Sequence, residues 1–140
     1  THYNESDFLI EEFRNSEFYF TNKEIAEELI ATTLSIKAAA KEKSGKKSFD
    51  ILTLLYFQDM FDVLKEIRRV VRRRNNAYLI LGDSAPYGIL VPTTEILGRI
   101  SQNIGFNSFN IHKIRTRGTK WKSLKHRHSL ELSENVLVIK

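Results

Sequence analysis

The sequence predicts an α/β fold with a small mixed sheet, formed by a single domain over residues 1–140. Three observations favour it: amphipathic helical patterns, one continuous apolar run typical of a buried strand, and two more strand patterns near the C terminus. The 140 residues suffice for one hydrophobic core. The composition, with 41% hydrophobic and 11% aromatic residues, is typical of a folded protein. The sequence has no cysteine, which excludes disulfides and thiolate metal sites.

Helices are predicted in the first half from a capping signal and from apolar spacing. Residues 6–20 carry closely spaced aromatics without a clean period, which suits a short helix or a loop. The segment 21–24 matches a capping box, so a helix is expected to begin there and to run to about Lys43. A second apolar stripe at helical spacing is expected to cover a sheet: Tyr56, Met60, Val63, Leu64, Ile67, Val70 and Val71.

Strand and helix patterns alternate in the second half. Residues 77–81 are continuously apolar, which indicates a strand buried on both faces, as in a parallel sheet. A helix is predicted from Pro92 to Ile104, with Gly105 as its C-terminal cap. Residues 109–115 alternate, which predicts one buried face, and 130–140 end in a last buried strand. Because only the basic loop 116–129 joins these two strands, they are expected to pair antiparallel or to reach around the sheet.

The charge is divided unevenly along the chain. Residues 1–64 carry 7 Lys and Arg against 12 Asp and Glu, a net charge of −5. Residues 65–128 carry 14 against 3, a net charge of +11, and the last twelve residues carry 1 against 2. A basic block of this size attracts phosphate backbones, or it is a solvated face that keeps the protein soluble.

Two segments are candidate functional sites. The first, Gly82, Asp83 and Ser84, follows the predicted strand, where open α/β sheets bind ligands; the alternative is a capped turn that ends the strand. The second is the basic loop with its one Trp, which suits DNA contact or else a connection whose Trp packs on the sheet. Its candidate DNA-binding residues are Arg115, Arg117, Lys120, Trp121, Lys122, Lys125 and Arg127.

Two further clusters receive weaker interpretations. Five arginines near the end of the second helix suit a phosphate-binding stripe or a solvated helix end: Arg68, Arg69, Arg72, Arg73 and Arg74. His126 and His128 resemble a metal pair, but no third ligand of the right type is near in the sequence, so no metal site is predicted. No Ser/His/Asp set or carboxylate pair suggests hydrolase chemistry.

Several motifs follow one another in the second half of the chain: residues 56–60 (YFQDM), 64–71 (LKEIRRVV), 78–84 (YLILGDS), Gly88, 91–93 (VPT), 104–106 (IGF), 115–117 (RTR) and 130–136 (LELSENV). Taken in this order, they resemble the C-terminal half of amino-methylating DNA methyltransferases of the restriction-modification type. The resemblance covers residues 56–140 well, and residues 1–55 form only a helical lead-in.

The resemblance implies a partial Rossmann-like methyltransferase sheet: strand five at 77–81, a helix at 93–104, and a terminal antiparallel strand pair at 109–115 and 134–140. It implies methyl transfer from S-adenosylmethionine to an exocyclic amino group of cytosine or adenine in DNA. Residues 82–84 would border the active cleft.

Two of the family's motifs are absent from this sequence. The Gly-rich turn that approaches the cofactor is missing because every Gly is isolated, and the Pro-Pro-aromatic catalytic signature is missing because Pro86 and Pro92 are the only prolines. We therefore expect no catalytic residue in this chain, an S-adenosylmethionine site mainly in the family's N-terminal half, and an isolated chain that is inactive. The first residue is Thr, not Met, which also suggests a fragment.

The expected partners are DNA, that N-terminal half and, because a half-sheet exposes apolar edges, a second copy of the chain. No apolar run approaches the roughly 20 residues of a membrane span, and no signal peptide is visible, so a cytoplasmic protein is expected. Two alternatives stay open: a non-catalytic nucleic-acid-binding α/β module, and a methyltransferase fragment that acts on RNA or a small molecule.

Overall fold

A computed structural model of the protein describes residues 5–42, 49–118 and 130–140. Helices form the first half of this part of the chain, and strands with one more helix form the second half. The elements are α1 (Glu5–Arg14), α2 (Glu17–Thr21), α3 (Lys23–Glu42), α4 (Phe49–Val70), β1 (Ala77–Gly82), a 3₁₀ turn (Pro86–Gly88), α5 (Thr93–Asn103), β2 (Phe109–Arg117) and β3 (Leu132–Ile139).

A single residue, Asn22, separates α2 from α3, where the sequence predicts a capping box. The predicted helix is confirmed as α3 (Lys23–Glu42), but Thr21 does not cap it, because Thr21 is the last residue of α2. Ser16 caps α2 instead, since its Oγ accepts the Tyr19 amide at 3.2 Å. Phe18 packs this short helix against α4: its ring is buried, and the ring centre lies 5.4 Å from that of Phe61.

Helix α4 is longer than predicted, and the predicted apolar stripe is only partly buried: Leu64 is in the core, and Met60 and Ile67 pack against it. The helix begins at Phe49, and Val63 and Val70 of the predicted stripe are exposed. The buried side chains of α4 recur three or four residues apart: Leu54, Phe57, Phe61 and Leu64. The helix packs mainly against α3 and α5, and α5 in turn contacts all three strands. The two ends of α4 also line clefts at the two ends of β1.

The three strands form one sheet in the order β1-β3-β2, and both pairings are antiparallel. The predicted antiparallel pairing of the last two strands is confirmed, with a bulge between Lys113 and Arg115. Strands β1 and β2 run in the same direction, but β3 separates them. The sequence predicts a mixed sheet. This prediction is wrong for the described strands, because every pairing between them is antiparallel.

Strand β1 is covered on one face only, which corrects the prediction of burial on both faces. Leu79 packs on the core, whereas Tyr78 and Ile80 are 67% and 70% exposed. Antiparallel sheets tolerate such one-sided cover. The prediction of one buried face for β2 is also wrong: Ile111 and Ile114 are exposed, because β2 is an edge strand and only Phe109 reaches the core.

Helix α5 is fixed on the sheet by two glycines. A Cβ at Gly98 would lie 2.4 Å from the Phe109 ring, so only glycine permits this close approach. Gly105 adopts φ 115° after the helix end, and Phe106 packs behind it with its amide bonded to the Ser101 carbonyl at 3.1 Å, as predicted for a C-terminal cap. No helix in the described ranges is long and apolar enough to cross a bilayer.

Candidate functional site

A cleft of about 450 Å³ opens where β1 ends, between that strand and the first half of α4. Gly82 and Ser84 of the predicted site line it, opposite the aromatic side chains Tyr56 and Phe57 of α4. Leu52, Thr53, Pro86, Val91 and Thr93 complete the wall. The cleft is mostly apolar, and hydroxyl groups of Tyr56, Ser84 and the threonines are the polar groups that its lining side chains offer.

Asp83 lies between the two lining residues, but its carboxylate points towards α5. Its Oδ1 accepts the Thr94 amide and hydroxyl, each at 3.2 Å, and its Oδ2 accepts the Ser133 hydroxyl at 3.2 Å. The buried Asn135 completes the network, since its Nδ2 donates to Thr94 Oγ1 and to Ser133 Oγ at 3.0 Å each. The carboxylate therefore caps α5 and joins it to β3.

Arg117 closes this end of the sheet over Gly82. Its guanidinium Nη2 donates to the Asp83 carbonyl at 2.8 Å, and a Cβ at Gly82 would lie 2.4 Å from that nitrogen. A side chain at position 82 would therefore displace the Arg117 guanidinium, which lies against Gly82 at this point. The Nε of Arg117 is buried without a hydrogen-bond partner among the described residues.

The predicted DNA-binding residues are only partly described. Arg115 is exposed on β2, and its Nε donates to the Glu134 carboxylate of the neighbouring strand. Arg117 supports the end of β1. Lys120, Trp121, Lys122, Lys125 and Arg127 lie outside the described residues, as do His126 and His128. The segment 119–129 that carries them leaves β2 and enters β3 at the end of the sheet where Gly82 lies.

The arginines at the end of α4 fall into two groups. Arg69 pairs with Glu66 at 2.7 Å on the exposed face of the helix. The other four line a second cleft, at the opposite end of the sheet, together with Lys140: Arg68, Arg72, Arg73 and Arg74. The predicted stripe is therefore divided, and four of its five members converge.

Sequence reasoning missed the cleft-facing role of α4. The apolar stripe predicts Tyr56 as a core residue, but it is 39% exposed and lines the cleft, and partial burial raises the pKa of its phenol. Thr93 was also missed, because Pro92 marked the segment only as a helix start. The signal was the pair of adjacent aromatics, Tyr56 and Phe57, which face two directions on one helix.

Among the described residues, no group of three or more His, Cys, Asp or Glu side chains is placed to hold a metal ion. Compared with known proteins, the chain matches no protein-family model, no curated protein and no solved structure. A function is therefore inferred from the residues and their geometry.

Proposed function

We propose that this chain is the C-terminal part of an amino-methylating DNA methyltransferase, the class that the ordered motifs resemble. The observation that carries the proposal is the arrangement of β1, α5, β2 and β3. A strand, a covering helix and a terminal antiparallel pair follow in the order that the resemblance implies, and the cleft opens at the end of β1. The helices and strands lie within a few residues of the segments that the motifs assign.

The cleft at Gly82 supplies a wall for the target base or for the cofactor in this proposal. An enzyme that modifies a base must take it out of the stack and hold it between aromatic or apolar side chains. Tyr56 contributes a partly exposed ring to the lining of the cleft, and Ser84 contributes a hydroxyl group. Asp83 and Arg117 are positioning residues, since their polar atoms bind the backbone and side chains of α5, β1 and β3.

Catalytic residues and most of the S-adenosylmethionine site are assigned to the N-terminal half of the enzyme. Two features of β1 support an association with that half. Tyr78 and Ile80 leave an apolar face that no described residue covers, and among the described strands β1 is hydrogen-bonded on one edge only. Exposed apolar faces of this kind mark interaction sites. We expect the isolated chain to self-associate through this face, and a strictly monomeric sedimentation profile at high concentration would argue against it.

DNA is the proposed substrate because described basic residues lie at both ends of the sheet, Arg115 and Arg117 at one end and the arginine-lined cleft at the other. Arg115 lies on the exposed surface of β2, and the basic segment 119–129 is attached at the end where the first cleft opens. A contact with several phosphates makes affinity fall steeply with salt. A non-catalytic nucleic-acid-binding module is the second candidate, favoured by the arginine-lined cleft, which lies away from the end of β1.

The decisive assay measures transfer of labelled methyl groups from S-adenosylmethionine to duplex DNA by the full-length gene product that contains this chain. We expect transfer to an amino group of cytosine or adenine, and none by the 140-residue chain alone. Transfer to RNA in preference to DNA would replace the substrate in the proposal. DNA binding without any cofactor binding by the full-length product would support the binding module, and transfer by the chain alone would contradict the assignment of catalysis to the other half.

A further inference from the structure

The second cleft lies at the end of the sheet where β1 begins, and its lining is strongly basic. Its volume is about 500 Å³. Asn75, Asn107 and Lys140 bring the starts of β1 and β2 and the end of β3 to its wall. Five of its ten lining residues are cations and none is acidic: Arg68, Arg72, Arg73, Arg74 and Lys140. An enclosed surface with one sign of charge concentrates counter-ions of the opposite sign.

Protein groups neutralise little of this charge. None of the five cations has an ion-pair partner in the described part of the chain. By contrast Arg69, which follows Arg68 in the sequence but does not line the cleft, pairs with Glu66. Arg68 is held in place by neutral groups: its Nε donates to the Gly105 carbonyl at 3.4 Å, and its guanidinium lies 5.7 Å from the centre of the Phe106 ring. Arg68 is therefore positioned by neutral groups, and none of the five cations is ion-paired among the described residues.

The backbone of the arginine turn is also unusual. The Asn75 amide donates to the Arg72 carbonyl at 3.0 Å, which closes a β-turn with Arg73 and Arg74 at its centre. Arg74 adopts φ 67°, a left-handed conformation that favours Gly or Asn and disfavours a long side chain. Strained positions of this kind concentrate at functional sites. An arginine where glycine would be easier suggests that the guanidinium itself is needed.

The helix dipole accounts for only part of the cluster. Cations stabilise the last turn of a helix, and this explains Arg68 and Arg69 near the end of α4. The effect falls off within that turn, and Arg73 and Arg74 lie three and four residues beyond Val70. A purely solvated helix end also does not require four of the five arginines to line one cleft.

We propose that this cleft is a phosphate-binding site. Guanidinium groups donate paired hydrogen bonds that match phosphate oxygens, and several of them together favour a multiply charged phosphate over a single carboxylate. The phosphate belongs either to a nucleic-acid backbone or to a free phosphate compound. The backbone source rests on the proposed function and would add a second DNA contact at the opposite end of the sheet from Gly82, whereas the site itself does not depend on methyl transfer.

The test titrates the 140-residue chain with sodium pyrophosphate at low salt by calorimetry. The variant Arg72→Gln with Arg73→Gln removes two exposed cations of the cleft. The matched control, Lys23→Gln with Arg69→Gln, removes two exposed cations elsewhere. We expect at least about tenfold weaker pyrophosphate binding in the cleft variant and less than about twofold in the control, because loss of a charged hydrogen bond is worth about one decade or more. Equal losses in both variants, or no pyrophosphate binding by the wild type, would overturn the proposal.

Arg74→Gly keeps the test independent of folding defects. Glycine relieves the left-handed backbone, so we expect a higher melting temperature together with weaker pyrophosphate binding. A higher melting temperature with unchanged binding would remove Arg74 from the site and overturn the functional explanation of its strain.

A second titration identifies the source of the phosphate. Two results would support the nucleic-acid backbone as the source. DNA should displace pyrophosphate, and the salt dependence of DNA binding should become shallower in the cleft variant, by the amount expected for the loss of about two phosphate contacts. Pyrophosphate binding that DNA does not displace supports a free phosphate compound. Either result leaves the methyl-transfer assay to test the proposed function separately.

Discussion

The two ends of β1 carry polar groups that serve different purposes. At the end near Gly82, the Asp83 carboxylate binds an amide and two hydroxyls of the protein, so its hydrogen-bonding capacity is largely used by the fold. At the start of the strand, four arginines and Lys140 face a cleft without an ion-pair partner among the described residues. The register pairs Ala77 with Ile139 and Gly82 with Glu134, which sets these ends about 17 Å apart at the usual rise of a strand.

The difference teaches how to distinguish structural from ligand-binding polar residues. Asp83 follows a predicted strand, where the sequence predicts a ligand site, yet its carboxylate accepts its hydrogen bonds from groups of the protein. The arginines after α4 are typical of a solvated helix end in the sequence, yet in the structure four of them line one cleft. A polar group whose partners are all provided by the fold contributes stability, and one that is held in place without a partner is available to a ligand.

Asp83→Ala should produce the largest loss of stability at either end. The variant removes the acceptor for the Thr94 amide and leaves the Thr94 and Ser133 hydroxyls with fewer partners, so we expect a loss of about 2–3 kcal/mol. Urea unfolding followed by circular dichroism measures it. Arg72→Gln is the comparison at the other end and should change stability by less than about 0.5 kcal/mol. Similar losses for the two variants would remove the distinction between the ends.

Gly82→Ala should be destabilising only while Arg117 crosses the strand. The new methyl group would displace the guanidinium and break its bond to the Asp83 carbonyl, which we expect to cost about 1 kcal/mol. In an Arg117→Ala background the same change should be neutral or stabilising, because glycine is unfavourable in a strand. A double-mutant cycle by chemical denaturation measures the coupling, and additive effects would show that Arg117 does not require glycine at this position.

Arg74→Gly should have a smaller effect of opposite sign at the arginine cleft. Relief of the left-handed conformation outweighs the greater freedom of glycine in the unfolded chain, so we expect stability to increase by about 0.5–1 kcal/mol. Arg73→Gly is the matched control, since Arg73 is not among the residues with positive φ, and it should lose stability. Thermal unfolding of both variants tests this, and a loss in both would mean that the turn is not strained at Arg74.

The smallest expected effect concerns the ion pair that joins α3 to α5. Hydrogen bonds from Arg99, at 2.6 and 3.0 Å, lower the pKa of Glu28. Because the folded-state pKa is below the unfolded one, the stabilisation is fully present above the unfolded value and disappears as pH falls through the folded value. The pair is half exposed, so solvent screening limits it to about 1 kcal/mol or less. Glu28→Gln should flatten the decrease in stability between neutral and acidic pH, and an unchanged profile would contradict the assignment.

Much of the fold was predictable from local patterns. The helix at α5, the glycine that ends it and the last two strands follow from apolar spacing and cap residues, which act over short distances. The pairing of β3 between β1 and β2 was not predictable, because residues far apart in the sequence decide it. The same reason explains the one-sided burial of β1: Tyr78 and Ile80 look like core residues until the neighbours of the strand are known.

The candidate sites show the same limit. Gly82 and Ser84 were identified because they follow a strand, but Asp83 was not separable from them, since its partners Thr94 and Ser133 lie 11 and 50 residues away. The contribution of Lys140 to the arginine cleft depends on β3 ending beside the start of β1. Arg74 gave no signal in the sequence, because a positive φ is a property of the folded backbone.

Fluorescence anisotropy of the 140-residue chain with a labelled DNA duplex tests most directly the central claim that this chain binds DNA through its basic residues and does so without the cofactor. The titration is repeated across a salt series, with and without S-adenosylmethionine. We predict binding that weakens steeply with salt and is the same in both conditions. An absence of binding at low salt, or binding that requires the cofactor, would contradict the claim.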